Sequence, residues 1–435
     1  VKSIRLTLLL FGLLLAFQTV SAQSQAPLAL VLTADGPISP AMQEYIQRGI
    51  RTADQRQAEV LIIQLSTPGG DLNSMNQIVQ DLRASHVPVV VYIAPRGAWA
   101  GSAGSIVTLA GHVAAMAPET AIGAASPVGS QGENLGTTEQ AKVTEIMKAT
   151  VRSLAERRGS QAVQLAQDMI TNAQAVSATE ALDAHLVDFI ANDVPDLLGQ
   201  MDGFQVETAD GSRTLHTSGA SPDYLGMSLI EQLLLTLTDP NIVFILLDIG
   251  VTALFIELSH PGGWVAGFVG VVCLALAIYG LGILPVNWFG LIFMVLAFGL
   301  FVLDIKAPTH GALTAAGVVS FIVGTLVLFN SPGTPQFQRV SVPLVVLSGI
   351  AMGGMFALIV SFALRAQRLP VRTGREPLVG RVGIARTSLR PDGQVQVSSE
   401  LWSAELAEGE GSIRKGERIE VVSVDGLRLR VRKLK

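Results

Sequence analysis

Between residues 241 and 364 the chain carries five apolar stretches, at 241–258, 264–284, 286–304, 311–329 and 343–364. Each is long enough to cross about 30 Å of hydrocarbon as a helix. A helix satisfies its own backbone polar groups, which lipid cannot do, so this region is read as membrane-spanning. The breaks are Ser259-His260-Pro261-Gly262, Leu284-Pro285, Ala307-Pro308-Thr309-His310 and Asn330 to Val342. A composition of 49% hydrophobic and only 15% charged residues fits that reading. Arg365, Arg368, Arg372 and Arg375 crowd the end of the last span and predict that this end is cytoplasmic. Five crossings then put the preceding domain on the opposite side. Asp248, Glu257, Asp304 and Lys306 are costly in or beside lipid, and most of them fall near a span end. Gly262, Gly263, Gly267 and Gly270 have the close spacing that suits tight helix packing.

The other end of the chain agrees. Lys2 and Arg5 precede an apolar run from Leu6 to Phe17 and the small residues Val20-Ser21-Ala22. That order predicts a secretory leader at 1–22, cleaved after Ala22, with an exported domain at 23–225 and the membrane region at 226–366. The single cysteine, Cys273, lies inside a span and allows neither an intramolecular disulfide framework nor a cysteine-rich metal site. A net charge of −5 argues against nucleic acid as a partner. No cofactor is expected.

In the exported domain, strand and helix patterns alternate. A strand at Ala26 to Leu32 is followed by a helix opened by Ser39-Pro40. Val60 to Leu65 reads as a buried strand, Leu72 to Ser85 as a helix and Val87 to Ala94 as a strand. Such alternation predicts an α/β domain with a largely parallel core. The chain then reaches Gly97-Ala98-Trp99-Ala100-Gly101-Ser102-Ala103-Gly104, one serine among residues too small to shield it, ahead of an apolar segment, Ile106 to Ala117, read as a helix. Small neighbours let a nucleophilic hydroxyl approach a carbonyl, and a following helix favours developing negative charge. Position 100 is Ala, so this is not the Gly-x-Ser-x-Gly elbow. Upstream, Pro68-Gly69-Gly70 ends a strand. Consecutive glycines there either form an ordinary turn or aim bare N–H groups into a cleft, as an oxyanion hole requires.

Histidines available as a base are His112, His86 and His185, but a lone histidine beside glycine, as in Gly111-His112, is more often a turn residue than a base. Lysine usage is more informative. From residue 23 to 240 the only lysines are Lys142 and Lys148, on one helix expected to open with a capping box at Thr137 and Gln140. With Val143, Ile146, Met147, Thr150, Val151 and Leu154 as its apolar stripe, Lys142 borders the stripe and Lys148 lies nearly opposite. A partly buried lysine loses charge stabilisation and can act as a general base, which an arginine cannot do. Lys142 is the candidate and Lys148 a surface charge.

Ser66-Thr67-Pro68-Gly69-Gly70, Pro95 to Gly104, Met116-Ala117-Pro118 and Ile122-Gly123-Ala124 together resemble the membrane-bound serine proteases of the NfeD long form. These are relatives of the Clp protease and signal-peptide-peptidase A group, and the resemblance runs through the whole chain. It implies a Clp/crotonase-like fold of ββα units in a spiral, with Ser102 as nucleophile and Lys142 as base. Gly101 stands where the family usually has Ala. Clp-type relatives carry a histidine just before the proline matched by Pro127, whereas this chain has Ala125-Ser126-Pro127, which favours a Ser–Lys dyad over a triad. Gly69, Gly70 and Ala103 would form the oxyanion and substrate-binding elements. The loop Ser130 to Thr137 would lie near the site. Glu180, in Ser177-Ala178-Thr179-Glu180, is a helix-opening acid rather than a catalytic one, and 203–217 reads as a polar hairpin.

From about 370 to 435 the pattern changes to short alternating strands at Leu378 to Ile384, Gly393 to Val397, Leu401 to Leu406, Arg418 to Val424 and Leu427 to Val431. Five strands suit a small all-β OB-like barrel. With Trp402 as its one exposed aromatic, it lacks stacking platforms for single strands, and an assembly role is expected. The expected function is that of a multi-pass serine endopeptidase of the cell membrane, its protease domain extracytoplasmic and its barrel cytoplasmic. The resemblance implies a polypeptide substrate with a hydrophobic segment, a stomatin-like (SPFH-domain) membrane partner and a homo-oligomer, at least a dimer. The alternative is a non-catalytic membrane scaffold for stomatin-like assemblies. An acyl-CoA-handling crotonase relative would need CoA outside the cell membrane.

Overall fold

The computed structural model describes residues 26–127, 136–259, 262–307, 309, 311–331, 334, 338–367, 378–409 and 411–434. The expected leader at 1–22, the loop from Ser130 up to residue 135, and Arg368, Arg372 and Arg375 lie outside the described residues.

In chain order the first domain comprises β1 (Leu28–Asp35), α1 (Pro40–Gln55), β2 (Val60–Ser66), α2 (Leu72–Arg83), β3 (Val89–Ile93), β4 (Trp99–Gly101) and α3 (Ala103–Ala110). It continues with β5 (Val113–Met116), β6 (Ala121–Gly123), α4 (Thr137–Ala155), α5 (Ser160–Thr171), β7 (Ala175–Ser177), α6 (Ala178–Asp183), β8 (Phe189–Ile190) and α7 (Val194–Met201). The hairpin β9 (Gln205–Thr208) and β10 (Gly211–Thr214), then β11 (Ser221–Tyr224) and α8 (Leu229–Thr236), complete it.

Six strands form an all-parallel sheet in the order β11-β1-β2-β3-β5-β8. Alternate residues feed two cores. Leu30, Leu32, Leu61, Ile63, Val89 and Val91 face the larger one, shared with α1 to α5. Ala29, Val31, Val60, Ile62, Val90 and Tyr92 face the other, under α7. Burial on both faces is why these strands read as unbroken apolar runs. A second sheet, β4-β6-β7, takes the short strands that follow β3 and β5, giving the strand–short strand–helix units of a Clp-like spiral.

One expectation is corrected here. The apolar segment Ile106 to Ala117 is not one helix: α3 stops at Ala110, Gly111 caps it, and β5 starts at Val113. A Cβ at Gly111 would stand 2.8 Å from Val113 O and 2.9 Å from Val91 Cγ2, so only glycine fits this reversal. The hairpin around Asp210-Gly211 and the capping box of Ser177 with Glu180 form as expected.

Five helices follow that are long and apolar enough to cross a membrane: α9 (Pro240–Ser259), α10 (Val265–Ile283), α11 (Phe289–Lys306), α12 (Ala312–Phe329) and α13 (Val342–Gln367). Small residues bring their backbones together. A Cβ at Gly290 would lie 2.3 Å from Leu328 N, and one at Gly270 3.0 Å from Gly250 O. The acidic residues are structural at two places. Glu257 accepts from the N–H groups of Trp264 (3.1 Å) and Gly267 (3.2 Å) at the start of α10. Asp304 accepts from the N–H and hydroxyl of Thr314 in the first turn of α12. Each carboxylate sits on the positive end of the next helix. Asp248, within α9, accepts from the Ser348 hydroxyl of α13.

The C-terminal unit is a closed five-stranded barrel of OB-like kind, formed by β12 (Val382–Ala385), β13 (Asp392–Val397), β14 (Glu400–Leu406), β15 (Arg418–Asp425) and β16 (Arg428–Lys433). β12 closes on β15, and β14 pairs in parallel with β16. Its core is Ala385, Val395, Val397, Ile419, Leu429 and Val431. Trp402 is half-buried against that core rather than an exposed platform.

Candidate active site

Ser102 stands between β4 and α3. Thr67 holds β4 in place through two bonds: its N–H donates to Trp99 O (2.8 Å) and its carbonyl accepts from Gly101 N–H (2.9 Å). Ser102 N–H donates to Gly123 O at 3.0 Å, tying the turn to the end of β6. Its carbonyl accepts from both the N–H (3.1 Å) and the hydroxyl (2.6 Å) of Ser105. So fixed, Ser102 adopts φ 49° and ψ −119°. A non-glycine residue there carries about 1–3 kcal/mol of strain, which such hydrogen bonding can sustain. The conformation leaves its Oγ without a hydrogen-bond partner among the described residues. Gly104 lets the following helix close down, since a Cβ there would be 2.3 Å from Thr67 Cγ2. Gly101, the departure from the usual Ala, has a role of its own: a Cβ would meet Pro68 O at 3.0 Å.

The Pro68-Gly69-Gly70 loop comes to the serine rather than forming a remote turn. Gly69 faces Ser102 so closely that a Cβ on it would be 2.6 Å from Ser102 Cβ and 3.1 Å from its Oγ. Ile38 clamps the loop, donating to Gly69 O (2.8 Å) and accepting from Asp71 N–H (2.8 Å). A Cβ at Gly70 would lie 2.1 Å from Ile38 O, so glycine is obligatory there. The Gly69 N–H is already given to Thr67 Oγ1 at 3.1 Å. Among the described residues the N–H groups of Gly70 and Ala103 have no acceptor. Ile38 and Thr67 are the positioning residues that sequence reasoning missed. Thr67 lay within the quoted motif, but Ile38 carried no signal of its own.

Lys142 and Ser102 lie on different elements, α4 and the turn before α3. Among the described residues no hydrogen bond links them, and Lys142 is exposed. The helical-face reading is corrected: Met147, Val151 and Ala155 are buried with Val143 and Leu154 packed beside them, while Ile146 is 67% exposed. Counting Ile146 as core had rotated the stripe toward Lys142. Lys148 is the lysine nearer the buried face, with a side chain 24% exposed and 2.9 Å from Glu145. Nor does the expected capping box form, for the N-cap of α4 is Gly136 without a side-chain bond.

α4 shares a cavity with α2 and with α3, the helix that follows the serine. Leu72 and Met75 of α2, Ile106 of α3, and Val143, Ile146 and Met147 of α4 line an apolar space of about 240 Å³. Ile106 is one helical turn beyond Ser102, and Val143 follows Lys142 in sequence. Lys142 and Ile146, four residues apart on α4, occupy one exposed face beside this cavity.

The histidines do other work. His112 is fully buried, and its Nδ1 accepts from Val89 N–H at 2.9 Å. Burial, with the charges of Arg83 and Arg157, lowers its pKa to about 4. Arg157 itself donates to the carbonyls of Gly111 (2.7 Å) and His112 (2.8 Å). His86 pairs with Asp210 on the surface, and His185 occupies a left-handed turn. At the position of the Clp-type histidine, Ser126 donates its hydroxyl to Ile170 O (2.9 Å). Among the described residues no cluster of metal-ligating side chains is present.

Three family descriptions match the sequence in tandem. They are the NfeD1b N-terminal domain over residues 30–204, the NfeD integral membrane domain over 241–362, and the NfeD-like C-terminal, partner-binding domain over 375–433. The membrane-bound protease PH1510 of Pyrococcus horikoshii is 34% identical over 91% of this chain and 90% of its own length. The membrane protein NfeD1b of Bacillus subtilis is 26% identical over 100% of this chain and 99% of its own length. A solved structure of the 1510-N membrane protease specific for a stomatin homolog, from Pyrococcus horikoshii, is 30% identical. It covers 49% of this chain and 99% of that one, with a TM-score of 0.43.

Proposed function

Because the chain belongs to the NfeD family of membrane proteins, we propose that it is a membrane-bound serine endopeptidase cleaving hydrophobic segments of stomatin-like, membrane-associated proteins. The observation that carries this reading is Ser102 itself. Among the described residues its hydroxyl is unpaired and the nearby N–H groups of Gly70 and Ala103 have no acceptor, while its backbone is strained and it faces Gly69. Strain held by surrounding hydrogen bonds at a reactive side chain is what a nucleophile's position requires.

In the proposed reaction Ser102 Oγ attacks the peptide carbonyl while Lys142, as the neutral amine, takes the hydroxyl proton. The carbonyl oxygen becomes an oxyanion held by Gly70 and Ala103 N–H at the start of α3. Collapse expels the amine, to which Lys142 returns the proton, and water then hydrolyses the acyl-enzyme by the same steps. An apolar substrate segment seated in the cavity under Leu72 and Ile106 would also cover the face shared by Ile146 and Lys142. Excluding water there favours the neutral amine. The relative named as a membrane-bound protease supports the peptidase class.

The same reading divides the chain into a protease domain at 23–225, a membrane region at 226–366 and a cytoplasmic barrel at 370–435. It takes a stomatin-like (SPFH-domain) protein as the barrel's partner, in keeping with the partner-binding description matched there, and an assembly of at least two copies. A second reading, a non-catalytic scaffold, is favoured by the N-terminal match to NfeD1b, described as a membrane protein. Full-length protein in detergent, incubated with apolar peptides from a stomatin-like C-terminus beside its Ser102→Ala variant, separates the two. Cleavage by the wild type alone supports the peptidase, and no cleavage by either leaves the scaffold.

A further inference from the structure

Helix α8 has two faces with different fates. On the inner face Glu231 is 5% exposed and receives both arms of Arg48 from α1, at 2.8 and 2.7 Å. Arg48 also donates to Gly226 O (2.8 Å), and the Ser228–Glu231 capping box fixes the first turn. Leu235 rests on the backbone of Gly36, 3.6 Å from where a Cβ would be. The outer face is apolar and bare: Leu229 is 84% exposed, Ile230 70% and Leu233 49%.

The height of this face is set by the chain. α8 ends at Thr236 and the first membrane span starts at Pro240. Between them, Leu237 O packs on α10, 2.9 Å from where a Cβ on Gly280 would stand. Gly280 is three residues from the end of α10 at Ile283, about 5 Å along the helix axis. At the adjoining turn Trp288 is 53% and Phe289 71% exposed, the aromatic pair expected at a membrane–water boundary. The bare face is thus continuous with the rim of the membrane region.

We infer that α8 lies in the bilayer interface beside the start of α9, with Leu229, Ile230 and Leu233 among the upper acyl chains, and that the Arg48–Glu231 clamp seats the exported domain on it. Lipid is the occupant because the helix carries one apolar stripe over a polar, clamped face, and Leu237 ties its end to Gly280 near the end of a membrane-spanning helix. The clamp passes this anchoring to α1, whose cap Ser39 adjoins Ile38, the residue that holds the Gly69-Gly70 loop. The loop beside Ser102 is thereby held in fixed relation to the lipid surface.

The test uses the full chain and reads no enzymatic activity. In a Cys273→Ser background, Leu233→Cys and Ser212→Cys, the latter in the exposed β9–β10 hairpin, are labelled with an environment-sensitive fluorophore. The protein is reconstituted into phosphatidylcholine–phosphatidylglycerol vesicles and into single-copy nanodiscs. The label at 233 should be quenched several-fold more by lipids brominated on the acyl chain than the label at 212, and be shielded from aqueous iodide. Equal iodide quenching at both sites overturns the inference. So does shielding at 233 that disappears in single-copy nanodiscs, which would assign the face to a second copy of the chain.

Discussion

Gly69 and Ser102 approach to the limit of van der Waals contact, the glycine's missing side chain leaving the space in which the serine Cβ and Oγ sit. A glycine at φ 114° and a serine at φ 49° face each other across two loops that are far apart in sequence. Each conformation is tolerable because the other residue leaves room for it.

Gly69→Ala should therefore damage both sites at once. The added methyl would stand 2.6 Å from Ser102 Cβ, and alanine is itself strained at that φ. Peptide cleavage should fall at least about 100-fold, the scale of an ångström's misplacement. Thermal unfolding should show a loss of about 1–3 kcal/mol. Wild-type turnover in this variant would contradict the assignment of the loop.

Ser102→Gly separates strain from chemistry. Glycine accepts φ 49° at no steric cost, so this inactive variant should be more stable than wild type. Relief of strain outweighs the added chain entropy by about 1 kcal/mol. A lower melting temperature than that of Ser102→Ala would show the turn to be unstrained.

The two lysines should respond differently. Lys142→Arg should be as inactive as Lys142→Ala, since a guanidinium stays protonated at any workable pH and cannot accept the serine proton. Lys148→Arg should retain near wild-type rates. Its bond to Glu145 is an exposed ion pair that an arginine can also make. Robust cleavage by Lys142→Arg, measured on apolar peptides, would remove Lys142 from the mechanism.

His112 predicts a pH dependence of stability rather than of catalysis. Its folded pKa, about 4, lies below the unfolded value of 6.5 because burial disfavours the charged ring. The unfolded state binds the proton first as pH falls. The contribution is complete above pH 6.5 and declines from there toward pH 4, by up to about 3 kcal/mol. His112→Asn, which keeps an acceptor for Val89 N–H, should flatten that slope in chemical denaturation and leave the pH–rate profile unchanged. A histidine base would instead be lost with it.

The proposed sidedness requires five crossings. Alkaline phosphatase fused after Arg375 should be inactive, and fused near residue 215 should be active. Equal activities would mean an even number of crossings.

Much of this was legible in the sequence wherever one property decides the outcome. The spans from Pro240 to Phe362 needed only length and apolarity, the barrel only alternation and turns, and Glu180 only its spacing from Ser177. The loop Ser66 to Gly70 and the turn at Ser102 were legible as motifs, but their meeting was not, since it depends on Ile38 and Thr67 from outside the serine turn. The face of α4 was misread because periodicity reports which residues are apolar, not which are covered. Ile146 is apolar and uncovered, and counting it as core moved Lys142 to a boundary it does not occupy. For the same reason the segment Ile106 to Ala117 hid a helix and a strand behind one uniform hydropathy, divided only by Gly111 and His112.

The carboxylates at Glu257 and Asp304 have a consequence for how the membrane region is put together. Each closes a reversal, Glu257 joining α9 to α10 and Asp304 joining α11 to α12. Four of the five helices are thereby stitched into two out-and-back pairs, and α13 is the unpaired remainder. In the proposed five-span topology, removing either pair would leave an odd number of crossings, whereas removing α13 would leave an even one. Under the proposed topology a stitched pair can be gained or lost without changing sidedness, and α13 is the helix that carries the odd count.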